Sequence, residues 1–430
     1  MASGRRLAVL VVAMALVGAP AIALRAFCVG KSCADEASAP APVPFCPLPA
    51  DLRAQIEAGY RQGRSPDVMA AAQGGGIASE GGVPWPYDPF SPRLNSVPIL
   101  FFGHGVNPGR LADGIGVDRI APTIADLIGF DRSHPEVRSG TALPGAVLDG
   151  AGSPLVVEIV WKGVGSREFS GMLGPWLATI RPRSAWTLNG TTGSLPVDPA
   201  AMLTTIGTGG LPSEHGITGT MIRNAHGIAV PAWSATAPTS IIATLADDWD
   251  RATSHRARIG LVENAAIDRG LVGGTWYIDH GHFDLKVGSG DPASAVNELL
   301  DSGYGADDLT DIVGVVVQQG SRMARQTQAI VADVQRRVPN ATFVLTATGT
   351  AAGALGGSFN LVAAVDRAVG SNIVSTAVAG GLFLNQEAMA SNDITSDDVV
   401  RAIDALKATD GTPLFADAYP GFAVSFSRYC

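Results

Sequence analysis

Three hydroxyls stand in the stretch Thr191-Thr192-Gly193-Ser194-Leu195-Pro196, and a helical pattern begins soon after it at Pro199. A hydroxyl just ahead of a helix N-terminus sits where backbone N–H groups and the helix dipole favour both an alkoxide and a bound anion. That makes it a candidate nucleophile. Ser194 ranks first, Thr192 second and Thr191 third; the alternative is that these hydroxyls only cap the helix. His215, in the turn Ser213-Glu214-His215-Gly216, reads as structural. The densest group of ligand-type residues is Asp279-His280-Gly281-His282-Phe283-Asp284, which reads as a solvated hairpin turn away from the chemistry, with an adventitious or structural metal as the alternative. His104, His134, His226 and His255 are scattered without pattern.

These residues need a scaffold, and the pattern after Gly150 supplies one. Strands are expected at Leu155–Trp161, Ile259–Val262, Trp276–Ile278, Ile312–Val317 and Thr342–Leu345. Helices are expected at Pro199–Ile206, Ser240–Trp249 and Met323–Arg337, the last with Ile330, Val331 and Val334 on one side. Earlier in the chain, Asp51–Tyr60 and Ile120–Ile128 read as helices and Val97–Phe102 as a strand. Continuous apolar strands alternating with helices predict an α/β fold with a mostly parallel central sheet and helices on both faces. Ligand chemistry in such sheets gathers at the carboxyl ends of the strands. Lys162, Gln318 and the run Thr346-Ala347-Thr348-Gly349-Thr350 occupy such ends.

The chain has 430 residues, 46% hydrophobic and 16% charged, with 52 Gly and 28 Pro. That composition means a large core and many tight turns. The net charge of −9 comes with no basic cluster, which argues against a nucleic-acid partner. Arg5-Arg6 precede an uncharged run from Leu7 to Leu24 that ends in small residues, the pattern of a secretory signal, with an uncleaved anchor as the alternative. Residues 1–26 are therefore assigned to a signal or anchor, 27–50 to a Pro/Ala-rich linker, and 51–430 to one domain. The expected location is extracytoplasmic, secreted or anchored in the cell envelope, with the membrane reached only through the N-terminal segment. Cys28, Cys33, Cys46 and Cys430 could form two disulfides there, with three possible connectivities. Pairing Cys46 with Cys430 would tie the chain ends together.

The hydroxyl stretch followed by Thr208-Gly209-Gly210-Leu211-Pro212-Ser213-Glu214-His215-Gly216-Ile217 resembles the nucleophile segment of type I phosphodiesterases in the alkaline phosphatase superfamily. Further matches stand in rotated order. Residues 60–67 and 77–109, with Tyr87-Asp88 and Val97-Pro98, resemble that superfamily's C-terminal end, and Asp118–Gly129 resembles its closing helix. Phe422–Tyr429 resembles the stretch just before them. The resemblance thus implies a circularly permuted alkaline-phosphatase-like fold in which residues 51–150 correspond to the C-terminal segment. A Cys46–Cys430 bridge would rejoin the original junction.

The same resemblance implies two catalytic metals, usually zinc, held by Asp and His. At the corresponding places this chain has Lys162 where an Asp is expected and Gln318-Gln319-Gly320-Ser321 where an Asp and a His are expected. Thr348 lies in the run that replaces Asp-His-Gly, and Glu80 in the run that replaces the last His. Amide and hydroxyl oxygens bind zinc far more weakly than carboxylate or imidazole. The expectation is a non-catalytic binding or scaffold protein with no cofactor, its partner an anionic small molecule or an envelope protein, with Lys162, Ser194 or Thr192, and Gln318 lining the pocket. The alternative is an active phosphoric or sulfuric ester hydrolase using Ser194 or Thr192 as nucleophile and Lys162 in place of a metal, with zinc as cofactor only in that case.

Overall fold

In the computed structural model, which describes residues 43–73, 78–79, 89–273, 276–288, 290–350, 358–407 and 411–430, the apolar runs become the strands of an eight-stranded sheet. Its members in chain order, after a first strand β1 (Val68–Ala72) that belongs elsewhere, are β2 (Ser96–Gly103), β3 (Gly109–Arg110), β4 (Leu155–Trp161), β5 (Ser184–Thr191), β6 (Ile259–Glu263), β7 (Phe283–Val287), β8 (Asp311–Val317) and β9 (Thr342–Ala347). The spatial order is β7-β6-β8-β4-β9-β2-β5-β3. β7, β6, β8, β4 and β9 pair in parallel, whereas β2 pairs antiparallel with both β9 and β5. β5 therefore runs with the parallel strands, and the carboxyl ends of β4, β5, β6, β8 and β9 open on one edge. Every residue of β4 and β8 is buried, which explains why both are apolar apart from Glu158 in the middle of β4 and Asp311 at the start of β8.

Helices cover both faces; α1 (Ala50–Gly59) packs against the Gly421–Tyr429 turn, and α6 (Pro292–Asp301) against the helix that follows β8. On one side α3 (Ser166–Ile180) and α7 (Met323–Arg337) pack over Trp161, whose ring lies 4.8 Å from that of Phe169 and whose indole N–H donates to Thr327 Oγ1 at 2.8 Å. On the other side lie α2 (Ile120–Leu127), α4 (Pro199–Thr208), α5 (Leu245–Ala252) and a 3-10 turn, Ala266–Leu271. That turn presses on α4 through two glycines. A Cβ on Gly207 would fall 2.3 Å from the Leu271 carbonyl oxygen, and one on Gly270 would fall 2.1 Å from Thr204 Oγ1. Only glycine permits so close an approach, and it fixes where Asp268 arrives.

A smaller sheet of order β10-β11-β1-β12 is built from Val374–Val378 (β10), Gly381–Leu384 (β11), β1 and Phe415–Pro420 (β12). It joins the first part of the domain to the last. The two ends of the described domain meet again at the Cys46–Cys430 disulfide, with Cα atoms 5.1 Å apart. Phe45 and Leu48, within the stretch expected to be linker, are buried, Phe45 against Tyr419 with ring centroids 4.9 Å apart. The signal or anchor segment, and with it Cys28 and Cys33, lies outside the described residues.

Three sequence expectations change. Trp276–Ile278 is not a strand; the edge strand is Phe283–Val287, and Trp276 is largely exposed. The helix expected from Ser240 starts at Leu245, because Thr244 accepts from the Asp247 N–H at 3.1 Å and Asp247 accepts in return from the Thr244 N–H, a capping box. The Asp279–Asp284 segment does turn at Gly281, but it enters a parallel strand of the main sheet rather than a hairpin.

Candidate functional site

The carboxyl edge of the sheet brings Lys162 and Gln318 together. They directly follow the neighbouring strands β4 and β8, and the Lys162 N–H donates to the Val317 carbonyl at 3.0 Å. Both side chains converge on Asp268, the fully buried carboxylate of the Ala266–Leu271 turn. Lys162 Nζ is ion-paired with Asp268 Oδ1, and Gln318 Nε2 donates to Asp268 Oδ2 at 3.0 Å. A carboxylate taken out of water costs several kcal/mol unless it is paired and hydrogen-bonded. Here one oxygen receives a cation and the other an amide donor.

A second carboxyl stands beside this group. Glu263, the last residue of β6, is 3% exposed, and its Oε2 has no hydrogen-bond partner. Burial, and after it the negative charge of Asp268, push Glu263 up to about 7 against the opposing pull of Arg269 and Lys162. Glu263 and Gln318 both line a cleft of about 810 Å³ beyond the ends of β6, β7 and β8.

The hydroxyl loop is positioned by the next strand end. Thr348 Oγ1 accepts from the Gly163 N–H at 2.9 Å, and the Thr348 N–H donates to the Trp161 carbonyl at 3.0 Å. A Cβ on Gly349 would come within 3.1 Å of the Thr192 methyl, so the Thr191–Pro196 loop packs directly on this turn. Within the loop, the Thr192 hydroxyl donates to the Ser194 carbonyl at 3.2 Å, and Thr191 Oγ1 accepts from the Gly193 N–H at 3.2 Å. Ser194 Oγ is buried with no partner. The structure thus brings Lys162 and Gln318 onto one carboxylate and stacks Thr348 and Thr192 alongside, but the Lys162 ammonium and the Ser194 hydroxyl are not bonded to each other. Glu80 lies outside the described residues.

None of the three hydroxyls caps α4, contrary to the capping expectation. The cap is Asp198, which accepts from the Ala200 N–H at 2.9 Å and from the Thr220 hydroxyl at 2.9 Å, and which burial shifts upward. Asp ranks with Asn and Ser among the preferred N-cap residues, and here it is the one placed to accept from the first turn. It also puts negative charge where a helix N-terminus would otherwise attract an anion.

His215 is fully buried. Its Nδ1 accepts from the Ile217 N–H at 3.1 Å, leaving Nε2 to donate to Thr205 Oγ1 at 3.0 Å. Burial first, then the charges of Arg64 and Arg61, hold it down to about 3, so it is neutral and structural. In the Asp279–Asp284 segment the carboxylates bond within the protein: Asp279 Oδ1 accepts from the Gly281 N–H at 2.9 Å and Asp284 Oδ2 from the Tyr304 hydroxyl at 3.1 Å. Nearby, His255 Nδ1 lies 2.7 Å from Asp250 Oδ2. Among the described residues no three His, Cys, Asp or Glu side chains are grouped to hold a metal ion.

The donor set at the strand ends does not fit two divalent cations. It offers an ammonium, an amide, hydroxyls and the single carboxyl of Glu263, and Asp268 already has both oxygens occupied. Sequence reading missed Asp268, Glu263 and Asp198. Glu263 had a signal, as the one acid closing an apolar strand, and Asp198-Pro199 is a helix-start pattern. Asp268 had none. Comparisons with protein-family models, with curated proteins and with solved structures give no match for this chain.

Proposed function

We propose that this chain is an exported, non-catalytic binding protein on an alkaline-phosphatase-like, circularly permuted scaffold. One observation carries the reading: the edge that would hold metal ligands instead holds the self-neutralised set Lys162, Asp268 and Gln318. A cation already bound to a buried carboxylate repels a second cation and has no free charge with which to activate a hydroxyl or clamp a phosphoryl group. The Cys46–Cys430 bridge supports both the rotated order and an oxidising compartment, since it joins the two ends of the domain and such bonds persist mainly outside the cytosol.

The test is turnover. Full-length protein is incubated with bis-p-nitrophenyl phosphate and p-nitrophenyl sulfate, with added zinc and with chelator. No product above the buffer rate is expected in either condition. The second reading, an ester hydrolase, is favoured by the unpartnered Ser194 hydroxyl. It gains the field if zinc-stimulated turnover is seen and Ser194→Ala or Thr192→Ala abolishes it.

A further inference from the structure

The cleft beside Glu263 is bipolar, and elimination of its charged groups shows how. Five charged residues line it: Glu263, Lys286, Asp291, Glu298 and Arg322. Lys286 and Glu298 pair with each other at 3.3 Å, and Asp291 Oδ1 accepts from Gln326 Nε2 at 3.3 Å. Asp291 is exposed and keeps its negative charge, because an amide donor does not neutralise it; Glu263 and Arg322 are the lining charges without a side-chain hydrogen bond or ion pair among the described residues. Glu263 is buried, with an oxygen that no donor reaches. Arg322 is exposed and makes no side-chain ion pair or hydrogen bond with the described residues. A buried acceptor without a donor costs about 1–3 kcal/mol, so its presence in a cavity wall needs an explanation.

Gln318 adds polarity of the same sense as Glu263. Its Nε2 is committed to Asp268, which leaves Oε1 as the free end of the amide. The polar side-chain atoms without a partner beside the strand ends are therefore acceptors, Glu263 Oε2 behind the cleft surface and Gln318 Oε1 beside it, while the cation without a partner among the described residues belongs to the loop before α7. Between them the wall is aliphatic, formed by Val262, Leu285, Val316 and Met323.

We infer that this cleft binds a small amino-acid-type zwitterion, its ammonium on Glu263 and Gln318, its carboxylate toward Arg322, and an aliphatic body on the wall between them. An ammonium has three donors and a positive charge, which answers two acceptors, one of them an acid, better than a hydroxyl does. A guanidinium matches a carboxylate in charge and in its forked geometry. The inference rests on the binding reading of this sheet edge. It is read by heat rather than turnover, so an inactive protein that binds no amino acid and an active one that does give different results.

The experiment is isothermal titration calorimetry on the full chain with glycine, alanine, valine and leucine. Two analogues each lack one charge of leucine: 3-methylbutylamine has no carboxylate and 4-methylpentanoate has no ammonium. Saturable binding of at least one amino acid is expected, with its single-charge analogues at least ~10-fold weaker, as loss of one charged hydrogen bond implies. Glu263→Gln and Arg322→Gln should each weaken it by a similar factor. Wild-type protein supplies a readout that needs no variant. Because Glu263 is lifted to about 7, binding an ammonium ionises it, and heats measured at pH 6 in different buffers should report release of nearly one proton. At pH 8.5 that release should vanish. No saturable heat with any of the four amino acids, equal binding of either analogue, or unchanged binding by Glu263→Gln would each overturn the proposal.

Discussion

Replacing Lys162 with Met separates a pair that holds the strand ends together. Methionine keeps the unbranched stem and its packing but removes the ammonium. Asp268, fully buried, is then left with the Gln318 amide as its one side-chain partner among the described residues. Breaking one side of a buried ion pair costs about 3–5 kcal/mol, because the remaining charge is uncompensated. The unfolding entropy of a unit spanning Pro42–Cys430 is about 0.8 kcal/mol/K, taking ~2 cal/mol/K per residue. Lys162→Met should therefore lower Tm by about 4–6 °C at pH 7. In the double variant Lys162→Met/Asp268→Leu no buried charge remains, and apolar replacement of a buried pair is often neutral, so Tm should return to within about 2 °C of wild type. Scanning calorimetry on wild type, both single variants and the double variant closes the cycle. If Lys162→Met melts within 1 °C of wild type, or if the double variant loses the sum of the two single losses, the pair is not what holds this edge.

Glu158 gives a pH signature. It sits mid-strand in β4, and burial alone lifts it to about 8 from 4.5. A raised carboxyl pKa contributes stability fully below the unfolded value and loses it as pH rises through the folded value. Stability should therefore fall between pH 4.5 and 8 at up to ~1.4 kcal/mol per pH unit from this group, and Glu158→Gln should flatten that fall in denaturant titrations. The Cys46–Cys430 bridge spans a sequence separation of 384. Chain-entropy reasoning puts its stabilisation near 6 kcal/mol, so Cys46→Ser/Cys430→Ser should melt roughly 7 °C lower in thermal scans. A drop under 2 °C would mean that Phe45 and Leu48 keep the chain ends in place by packing alone.

How much of this could be read beforehand depends on whether neighbours in space are also neighbours in sequence. The strands β4, β8 and β9 and the helix α7 declared themselves, because an apolar run or a 3.6-residue period is local. The same holds for Lys162, Gln318 and Thr348, which simply follow strand ends. The edge strand β7 did not, since none of its five positions is fully buried and Trp276 nearby mimics a strand residue. β5 was missed because Asn189 and Thr191 break its apolar pattern, and α3 because Gly171, Gly174 and Pro175 lie inside a helix whose buried Phe169, Leu173, Leu177 and Ile180 otherwise keep the period. Asp268 arrives from a turn far along the chain, and its position depends on the close approach of Gly207 and Gly270, which no periodicity encodes.

Asp268 changes the meaning of the one site residue that sequence alone singled out most sharply. Where the resemblance implies a carboxylate binding a metal, the chain has an ammonium, and the carboxylate that answers it comes from a different element. Simple loss of ligands would leave a cation facing a vacant polar pocket. What stands there is a neutral, hydrogen-bonded plug, and the polarity left over has moved one strand along, to Glu263 and the cleft beyond it. Chemistry at position 162 and binding at position 263 are therefore separable: Lys162→Met should cost stability and leave amino-acid affinity within a few-fold, whereas Glu263→Gln should do the reverse. Variants that moved both properties together would show that the plug and the cleft are a single site, and would return Lys162 to the centre of the function.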